Sequence, residues 1–443
     1  MATVTTTQPA VLHKWHGLEP DQLIHAFRIM QTSRRLDDRE VALKRQNRIF
    51  FQISGAGHEA VEVAAGMTLR SGHDWIFPYY RDRALCLTLG VSPLDMLLQA
   101  VGAADDPASG GRQMPSHWGD PRFNIVSSSS CTGTQFLQAV GCAEANRFLE
   151  PDGDAVTLVA SGDGATSEGE FWESLNAACL NRLPVLFLIE DNGYAISVPV
   201  EYQTAGANIS ALASGFPGLF QQQVDGCDFL ASYQAMRAAV AYCRGGRGPA
   251  MVHAQVIRPY SHSLSDDERL YKTPAEREAE QARDPLARFP KFLLDEGVLD
   301  QNALRRITLE VDREVHDAGE QALRADPSPR HSAMRHLYSE KTDPTAEEFS
   351  TPAEFSGEPK TMVDLLNATL HEEMRRDPRV VAFGEDVADC SRAQNLAVVK
   401  GKGGVFKVTH GLQTEFGAAR AFNTPLAEAA IVGRAIGMSV RGL

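Results

Sequence analysis

The sequence predicts an α/β protein: a doubly wound, mostly parallel sheet with helices on both faces, then a second, incomplete α/β module. Three observations predict it. Short, mostly apolar runs occur at 155–160 (AVTLVA), 185–189 (VLFLI) and 251–257 (MVHAQVI), the pattern of parallel strands buried on both faces. Helix-patterned stretches, such as 168–181 and 229–243, separate them. The apolar pattern then stops near residue 325 and restarts at 361 with MVDLLNATLHEEM.

The elements follow in order. Residues 1–20 are polar and are expected to form a flexible arm. Residues 21–46 have the spacing of an amphipathic helix. Residues 50–270, rich in glycine and small residues, carry the strands, and 273–324 are charged and helical with a break near Asp284–Pro285. The first domain is therefore set at 21–324. Residues 325–360 are rich in proline, serine and glutamate and read as a linker, at least partly disordered. Residues 361–443 contain a helix, a strand (VVAF), a glycine-rich loop and a second helix, AEAAIVGRAIGMSV. That is thin for an α/β domain, so it reads as the truncated beginning of one.

Composition narrows the function. The 443 residues hold 57 acidic and 43 basic side chains, a formal charge of −14. Nucleic acid and anionic membranes both require a basic footprint, so neither is an expected partner. With 43% hydrophobic residues a large core is available. No apolar run reaches the roughly 18 residues of a membrane span. The N-terminus lacks a basic segment followed by an apolar one, and Arg28 is the first arginine, so a cytoplasmic location is expected. Seven cysteines without a CxxC read as free thiols rather than a disulfide framework or a structural zinc site.

The sharpest chemical signal is Gly162-Asp163-Gly164, directly after AVTLVA. A strand, a glycine-flanked acid and a helix start put Asp163 at the carboxyl edge of the sheet, where ligands bind in open α/β folds. Ser167 and Glu170 have the spacing of a capping box for the next helix, and the glycines open its N-terminus to an anion. Asn192 follows VLFLI in the same way, which sets it on the same edge. A carboxylate, an amide oxygen and a nearby backbone carbonyl are hard oxygen ligands that, with diphosphate oxygens and water, suit the octahedron of Mg²⁺. GDG alone is more often only a strand-ending turn; its pairing with DNGY lifts it above that. A dinucleotide site would need GxGxxG after the first strand, and none is found.

GDG with an asparagine near thirty residues later resembles the thiamin diphosphate motif. GHEAVEVAAG, FPYYRD, GRQMPSHWGD, GTQFLQAVG, GDGATSEGEFWESLNAA, DNGYAIS and SHSLSDD appear in the order of the 2-oxo acid dehydrogenase family, and resemble the alpha subunit of its decarboxylating first component. The resemblance covers about 20–330. It resumes at 361–443 with GEDV, GGVFKVTHGLQTEFG and FNTPLAEAAIVG, which resemble the start of the beta subunit. The chain thus looks like an alpha–beta fusion: a thiamin diphosphate-binding fold followed by an incomplete, transketolase-like pyrimidine domain.

The resemblance implies roles residue by residue. Asp163, Asn192 and the Tyr194 carbonyl match the Mg²⁺ ligands, with Gly162 and Gly164 flanking the cofactor. Tyr80 and Arg81 match the diphosphate-side pair, where a guanidinium fork suits phosphate oxygens. Ser130 and Thr132 match contacts to the aminopyrimidine. Ser129, Thr134 and Gln135 match a structural K⁺ site of branched-chain members, or are simply a polar loop ahead of a helix. His262 matches a residue that orients cofactor and promotes acyl transfer, and His117 is a weaker candidate. Glu428 matches the catalytic glutamate that shares a proton with the pyrimidine ring, and Glu385 matches another active-site position. Glu428 also reads as the acidic first turn of a helix. Ser263 occupies the position phosphorylated in mitochondrial relatives and reads as an ordinary loop serine.

Two positions depart from the pattern. Glu190 stands where branched-chain members usually carry arginine, which puts one diphosphate contact in doubt, and Asp191 replaces the first asparagine of the usual pair. The implied activity is oxidative decarboxylation of a 2-oxo acid of the 2-oxoisovalerate type, with acyl transfer to a lipoyl group of the acyltransferase component. Pyruvate or acetoin is the alternative substrate. A catalytically incomplete half-subunit that binds cofactor or partner is the alternative of another class. Because the family's site lies between alpha and beta parts, the chain is expected to form a homo-oligomer or to meet a beta-like partner.

Overall fold

A computed structural model describes residues 14–337, 339, 341–343, 345–350 and 357–443. In chain order the first domain contains α1 (Pro20–Arg45), α2 (Glu59–Thr68), β1 (Trp75–Phe77), α3 (Arg83–Leu89), α4 (Pro93–Val101), α5 (Thr134–Leu149), β2 (Thr157–Gly162), α6 (Gly169–Asn181) and β3 (Val185–Asp191). A short antiparallel ribbon of β4 (Tyr194–Ala195) and β5 (Val198–Pro199) follows. Then come α7 (Ile209–Ala213), β6 (Phe220–Asp225), α8 (Phe229–Arg244), β7 (Ala250–Gln255), α9 (Pro274–Ala282), α10 (Pro285–Asp295) and α11 (Gln301–Ala322).

The main sheet has the order β1-β2-β3-β7-β6 and is parallel throughout. Alternate residues of β3 serve opposite faces. Leu186 and Leu188 join a core with α1 and α2, whereas Phe187 and Ile189 join one with Phe136 of α5 and Phe171 of α6. This two-sided burial explains why the strand reads as an unbroken apolar run. Gly162 pairs with Glu190, and Asp191 with Gln255, so β2, β3 and β7 end side by side.

The three expected strands form, with β2 shifted by about two residues toward its carboxyl end. Two strands of the main sheet escape the sequence reading. β1 is only three residues long, and β6 (FQQQVD) is a glutamine-rich edge strand without an apolar run. The expected Ser167–Glu170 capping box does not form. Ser167 closes a 3₁₀ turn (Asp163–Ser167), and the helix cap is Glu168, which makes no side-chain cap bond. The N-terminal arm is anchored from Lys14 onward: Trp15 donates through Nε1 to Glu296 over 3.1 Å. The expected arm at 1–13 lies outside the described residues.

The linker is also partly tied down. Ala104 N–H donates to the Asp326 carbonyl at 2.8 Å, and Ser328 N–H donates to that of Gly102 at 3.3 Å. Residues 338, 340, 344 and 351–356 of the expected linker lie outside the described residues. Beyond them come α12 (Met362–Arg376), β8 (Ala382–Gly384), α13 (Leu412–Phe416), β9 (Ala421–Asn423) and α14 (Glu428–Arg441). β8 and β9 pair in parallel over a small core of Met374, Leu412 and Ala421.

The second module docks on the first through α14 against α5. The helices meet at backbone distance: a Cβ on Gly437 would lie 1.9 Å from the Gln138 carbonyl oxygen, and one on Gly141 would lie 2.0 Å from that of Arg434. Glycine alone permits that approach. Arg434, buried beside it, grips Glu144 with the Nε–Nη2 edge of its guanidinium (2.7–3.0 Å), and Glu173 of α6 accepts the Ala430 N–H at 2.9 Å near the start of α14. The guanidinium also lies over the Phe383 ring.

Candidate active site

A cavity of about 450 Å³ opens at the carboxyl edge of the sheet, where β2, β3 and β7 end. It gathers residues from seven separate stretches of sequence. Tyr80 and Arg81 enter after β1, and Ser129, Ser130, Thr132 and Gln135 from the start of α5. Gly162, Asp163 and Gly164 follow β2, Asn192 and Tyr194 follow β3, and His262 follows β7. His117 lines it as well.

Asp163 is the chemical centre. It is 1% exposed, and neither carboxylate oxygen has a hydrogen-bond partner. Burial first, then the neighbouring Asp191 carboxylate, push its pKa up to about 7. A buried carboxylate left unpaired is costly unless a cation joins it. Asn192 stands beside it, its Oδ1 accepting from Tyr194 N–H at 3.3 Å. Gly164 is needed where it is, because a Cβ there would lie 2.7 Å from that of Ala195. The GDG turn and the DNGYA loop therefore pack in direct contact.

Behind Asn192 runs a chain that the sequence did not disclose. Asp191 accepts Gly193 N–H at 2.8 Å through Oδ1 and pairs with His253 Nε2 at 2.9 Å through Oδ2. His253 Nδ1 in turn meets Ser210 Oγ at 2.9 Å. This clamp fixes the turn that carries Asn192. The replacement of asparagine at 191 thus serves a structural pairing with β7.

On the opposite wall Arg81, 1% exposed, donates from Nη1 to the Ser54 carbonyl at 2.5 Å and from Nη2 to His262 Nδ1 at 3.0 Å. An arginine only donates, so Nδ1 is the acceptor and the imidazole proton sits on Nε2. Burial, then the charges of Arg81 and Arg258, lower the His262 pKa to about 4, so the ring is neutral at pH 7. The Tyr80 ring stands edge-on to it at 6.0 Å. His117 contacts the Pro115 carbonyl through Nδ1 at 3.2 Å, which leaves Nε2 to accept from Ser130 Oγ at 2.6 Å.

Residues 27–330 match the family model described as "Dehydrogenase E1 component". The chain belongs to that family. Residues 358–443 match "Transketolase, pyrimidine binding domain", so this E1 chain joins both parts in one polypeptide. It is 36% identical over 328 residues to the 2-oxoisovalerate dehydrogenase subunit alpha of Bacillus subtilis, covering 74% of this chain and 98% of that one. It is 31% identical over 333 residues to the pyruvate dehydrogenase E1 component subunit alpha of Mycoplasma genitalium, covering 75% and 88%. The 3-methyl-2-oxobutanoate dehydrogenase subunit alpha of Mycobacterium tuberculosis is 35% identical over 304 residues, covering 68% and 78%.

Two further positions complete the description of the cavity and its surroundings. Glu190 does not line the cavity; it is fully buried and turns inward, pairing with His58 Nδ1 at 2.6 Å. Arg258, four residues before His262, is a candidate that the motif reading passed over. It is buried, its Nη2 serves the Ile196 carbonyl and the Tyr271 hydroxyl at 2.7 Å each, and its Nε and Nη1 have no partner. It does not line the cavity, but its charge reaches Arg81, and its two free donors suit an anion. An arginine just past a buried strand was the available signal.

Not every expected residue joins the cavity. Thr134 does not line it; its hydroxyl donates to the Cys131 carbonyl at 3.0 Å, while Ser129 Oγ accepts Cys131 N–H at 3.2 Å. Gln135 donates to the Ala160 carbonyl of β2 at 3.2 Å. Glu385 and Glu428 are exposed and lie outside the cavity wall. Gly433 abuts Leu137, while Arg441 reaches Asn146 and Glu150, so α14 runs in the same direction as α5. Glu428 therefore starts α14 at the end where Gln135 of α5 meets the cavity.

Proposed function

We propose that this E1 chain carries out oxidative decarboxylation of a 2-oxo acid with thiamin diphosphate and Mg²⁺, passing the acyl group to a lipoyl group of an acyltransferase component. The observation that carries the reading is the buried Asp163 carboxylate with both oxygens unpartnered, beside Asn192 at the ends of two adjacent strands. That donor set fits Mg²⁺ with a diphosphate.

When bound, thiamin diphosphate supplies a nucleophilic carbon and an electron sink for loss of CO₂. The chain's own residues do the rest. Asp163, Asn192 and the Tyr194 carbonyl hold the metal, with Gly162 and Gly164 leaving room at the turn. Arg81, with Tyr80 and Arg258, holds the diphosphate. Ser130 and Thr132 contact the pyrimidine side. His262, neutral with its proton on Nε2, donates to an oxygen of the reacting group. In the second module Glu428 hydrogen-bonds the pyrimidine ring and Glu385 stands near it. They would meet the diphosphate-side residues of this chain or of a second copy in a homo-oligomer, unless a beta-like partner supplies the pyrimidine side instead. Ser129, Thr134 and Gln135 remain a secondary proposal for K⁺.

The substrate we favour is branched-chain, of the 2-oxoisovalerate type. Phe51, Ile53, Met114 and Ile196 give the cavity an apolar wall suited to an aliphatic side chain. Pyruvate is the second reading, because the chain is similar both to a 2-oxoisovalerate dehydrogenase subunit and to a pyruvate dehydrogenase subunit. Among the described residues no helix is long and apolar enough to cross a membrane, and a cytoplasmic setting remains the expectation.

Calorimetric titration of the chain with thiamin diphosphate, with and without Mg²⁺, tests the reading. Mg²⁺-dependent binding that disappears in folded Asp163→Ala supports it. Binding unchanged by that substitution rejects the metal assignment.

A further inference from the structure

We propose a second, separate divalent-cation site behind the cavity wall, formed by His58, Glu62 and Glu190 with Asp82. One donor atom from each of His58, Glu62 and Glu190 lies within 4.8 Å of the other two. First-row divalent ions bind N and O ligands at about 2.0–2.2 Å, so such a set needs only small side-chain adjustments to close on one ion. The proposal does not rest on the thiamin diphosphate reading.

The second observation is unpartnered polarity. His58 Nε2 and Glu62 Oε1 are buried without a hydrogen-bond partner, and the facing carboxyl groups of Asp82 and Glu190 can bond each other only by sharing a proton. The remaining atoms are committed to the fold, which makes the cluster rigid. Glu62 Oε2 accepts the N–H groups of Ala84 (2.7 Å) and Leu85 (3.2 Å) at the start of α3. Asp82 Oδ2 accepts Tyr79 N–H at 2.9 Å. His58 Nδ1 meets Glu190 Oε2 at 2.6 Å and the Tyr79 hydroxyl at 3.2 Å.

Three carboxyl groups with no exposure are thus turned toward one another and one imidazole. Only protons or a cation can hold them together. Arg83 faces Glu62, and Arg81 faces Glu190. Arg83 pairs with Glu40 and Asp37, at 2.7 and 3.3 Å, while its Nη1 has no partner, and Arg81 serves Ser54 and His262. One imidazole with carboxylates favours Mn²⁺, Fe²⁺ or Zn²⁺ over Mg²⁺, which prefers oxygen ligands and retains its water. Tyr79 separates the cluster from the cavity, and its movement is the route of entry.

The test uses the full chain carrying Asp163→Asn, which removes the other metal position, without thiamin diphosphate. Titration with Mn²⁺, followed by loss of the free-ion electron paramagnetic resonance signal, is expected to show a single bound ion per chain. Zn²⁺ should compete, and Mg²⁺ only weakly. Adding Glu62→Gln should weaken binding about a hundredfold, in the range of lost metal contacts. A folded Asp163→Asn chain that binds neither Mn²⁺ nor Zn²⁺ at millimolar concentration overturns the proposal and assigns the cluster to shared protons. So does undiminished binding in the Glu62→Gln chain. If Glu62→Gln does not fold, the stoichiometry of the Asp163→Asn chain decides. Failure here leaves Mg²⁺-dependent binding of thiamin diphosphate untouched, so the two proposals fail separately.

Discussion

Arg81 and His262, 181 positions apart in sequence, are joined by a 3.0 Å hydrogen bond that fixes which imidazole nitrogen carries the proton. The bond sets one wall of the cavity, and its donor also grips the Ser54 carbonyl. Arg81 therefore positions a histidine as well as presenting its charge to the cavity.

This arrangement has a pH signature. The His262 pKa is lowered by burial and by Arg81 to about 4, against an unfolded value of about 6.5. Between those values the unfolded chain binds a proton that the native chain refuses. The His262 contribution to stability is therefore fully present above pH about 6.5 and lost as pH falls toward 4. An NMR titration is expected to find His262 neutral at pH 6, and a resonance titrating at 6 to 7 would contradict the Arg81 contact.

Asp163→Asn should separate stability from binding. The native carboxylate is buried without a partner, so the neutral amide relieves a desolvation cost and the cofactor-free chain should melt at an equal or higher temperature. Mg²⁺-dependent thiamin diphosphate binding should fall at least about a hundredfold. Calorimetry and thermal melts on the same preparation check both halves.

Gly437→Leu should detach the second module. Its Cβ would overlap the Gln138 carbonyl, and no rotamer of a larger side chain removes that clash. Residues 361–443 should become sensitive to limited proteolysis while the first domain stays resistant. Arg434→Met should weaken the same contact more mildly, because it leaves Glu144 without its partner.

Substrate choice should answer to the apolar wall. With a complementary beta-type chain supplied, Met114→Ala and Phe51→Ala should lower kcat/KM for 2-oxoisovalerate relative to pyruvate. About tenfold to a hundredfold is expected for lost aliphatic contact. An unchanged ratio would move the specificity elsewhere.

Ser130→Ala should alter His117 rather than the fold. It removes the donor to His117 Nε2, on a loop residue that is itself exposed. Thermal stability should hold within about 0.5 kcal/mol, as for surface changes. The chemical shifts of the His117 ring should move, and an unmoved ring would deny the contact.

Much was legible in the sequence because it was local. Buried parallel strands announce themselves as apolar runs, and the acid and the amide that follow β2 and β3 share an edge once those strands are parallel neighbours. β1 and β6 were missed for the complementary reason. A three-residue strand is too short to carry a pattern, and an edge strand of glutamines does not need an apolar one.

Glu190 marks the boundary between the two kinds of knowledge. By sequence it was an acid where a phosphate-binding arginine is usual, and its meaning stayed open. In the fold it points away from the cavity to His58, 132 residues earlier, and belongs to another cluster altogether. The α/β class, the family and the edge that holds Asp163 and Asn192 were already written in the order of the residues. Those follow from spacing and from the order of motifs along the chain. Tertiary structure alone decided which partner each buried charge found, that Arg81 takes His262, that Asp191 takes His253, and that three carboxyl groups converge behind Tyr79. Such partners lie tens to hundreds of residues apart and become neighbours only when the register of the sheet and the packing of its helices bring them together.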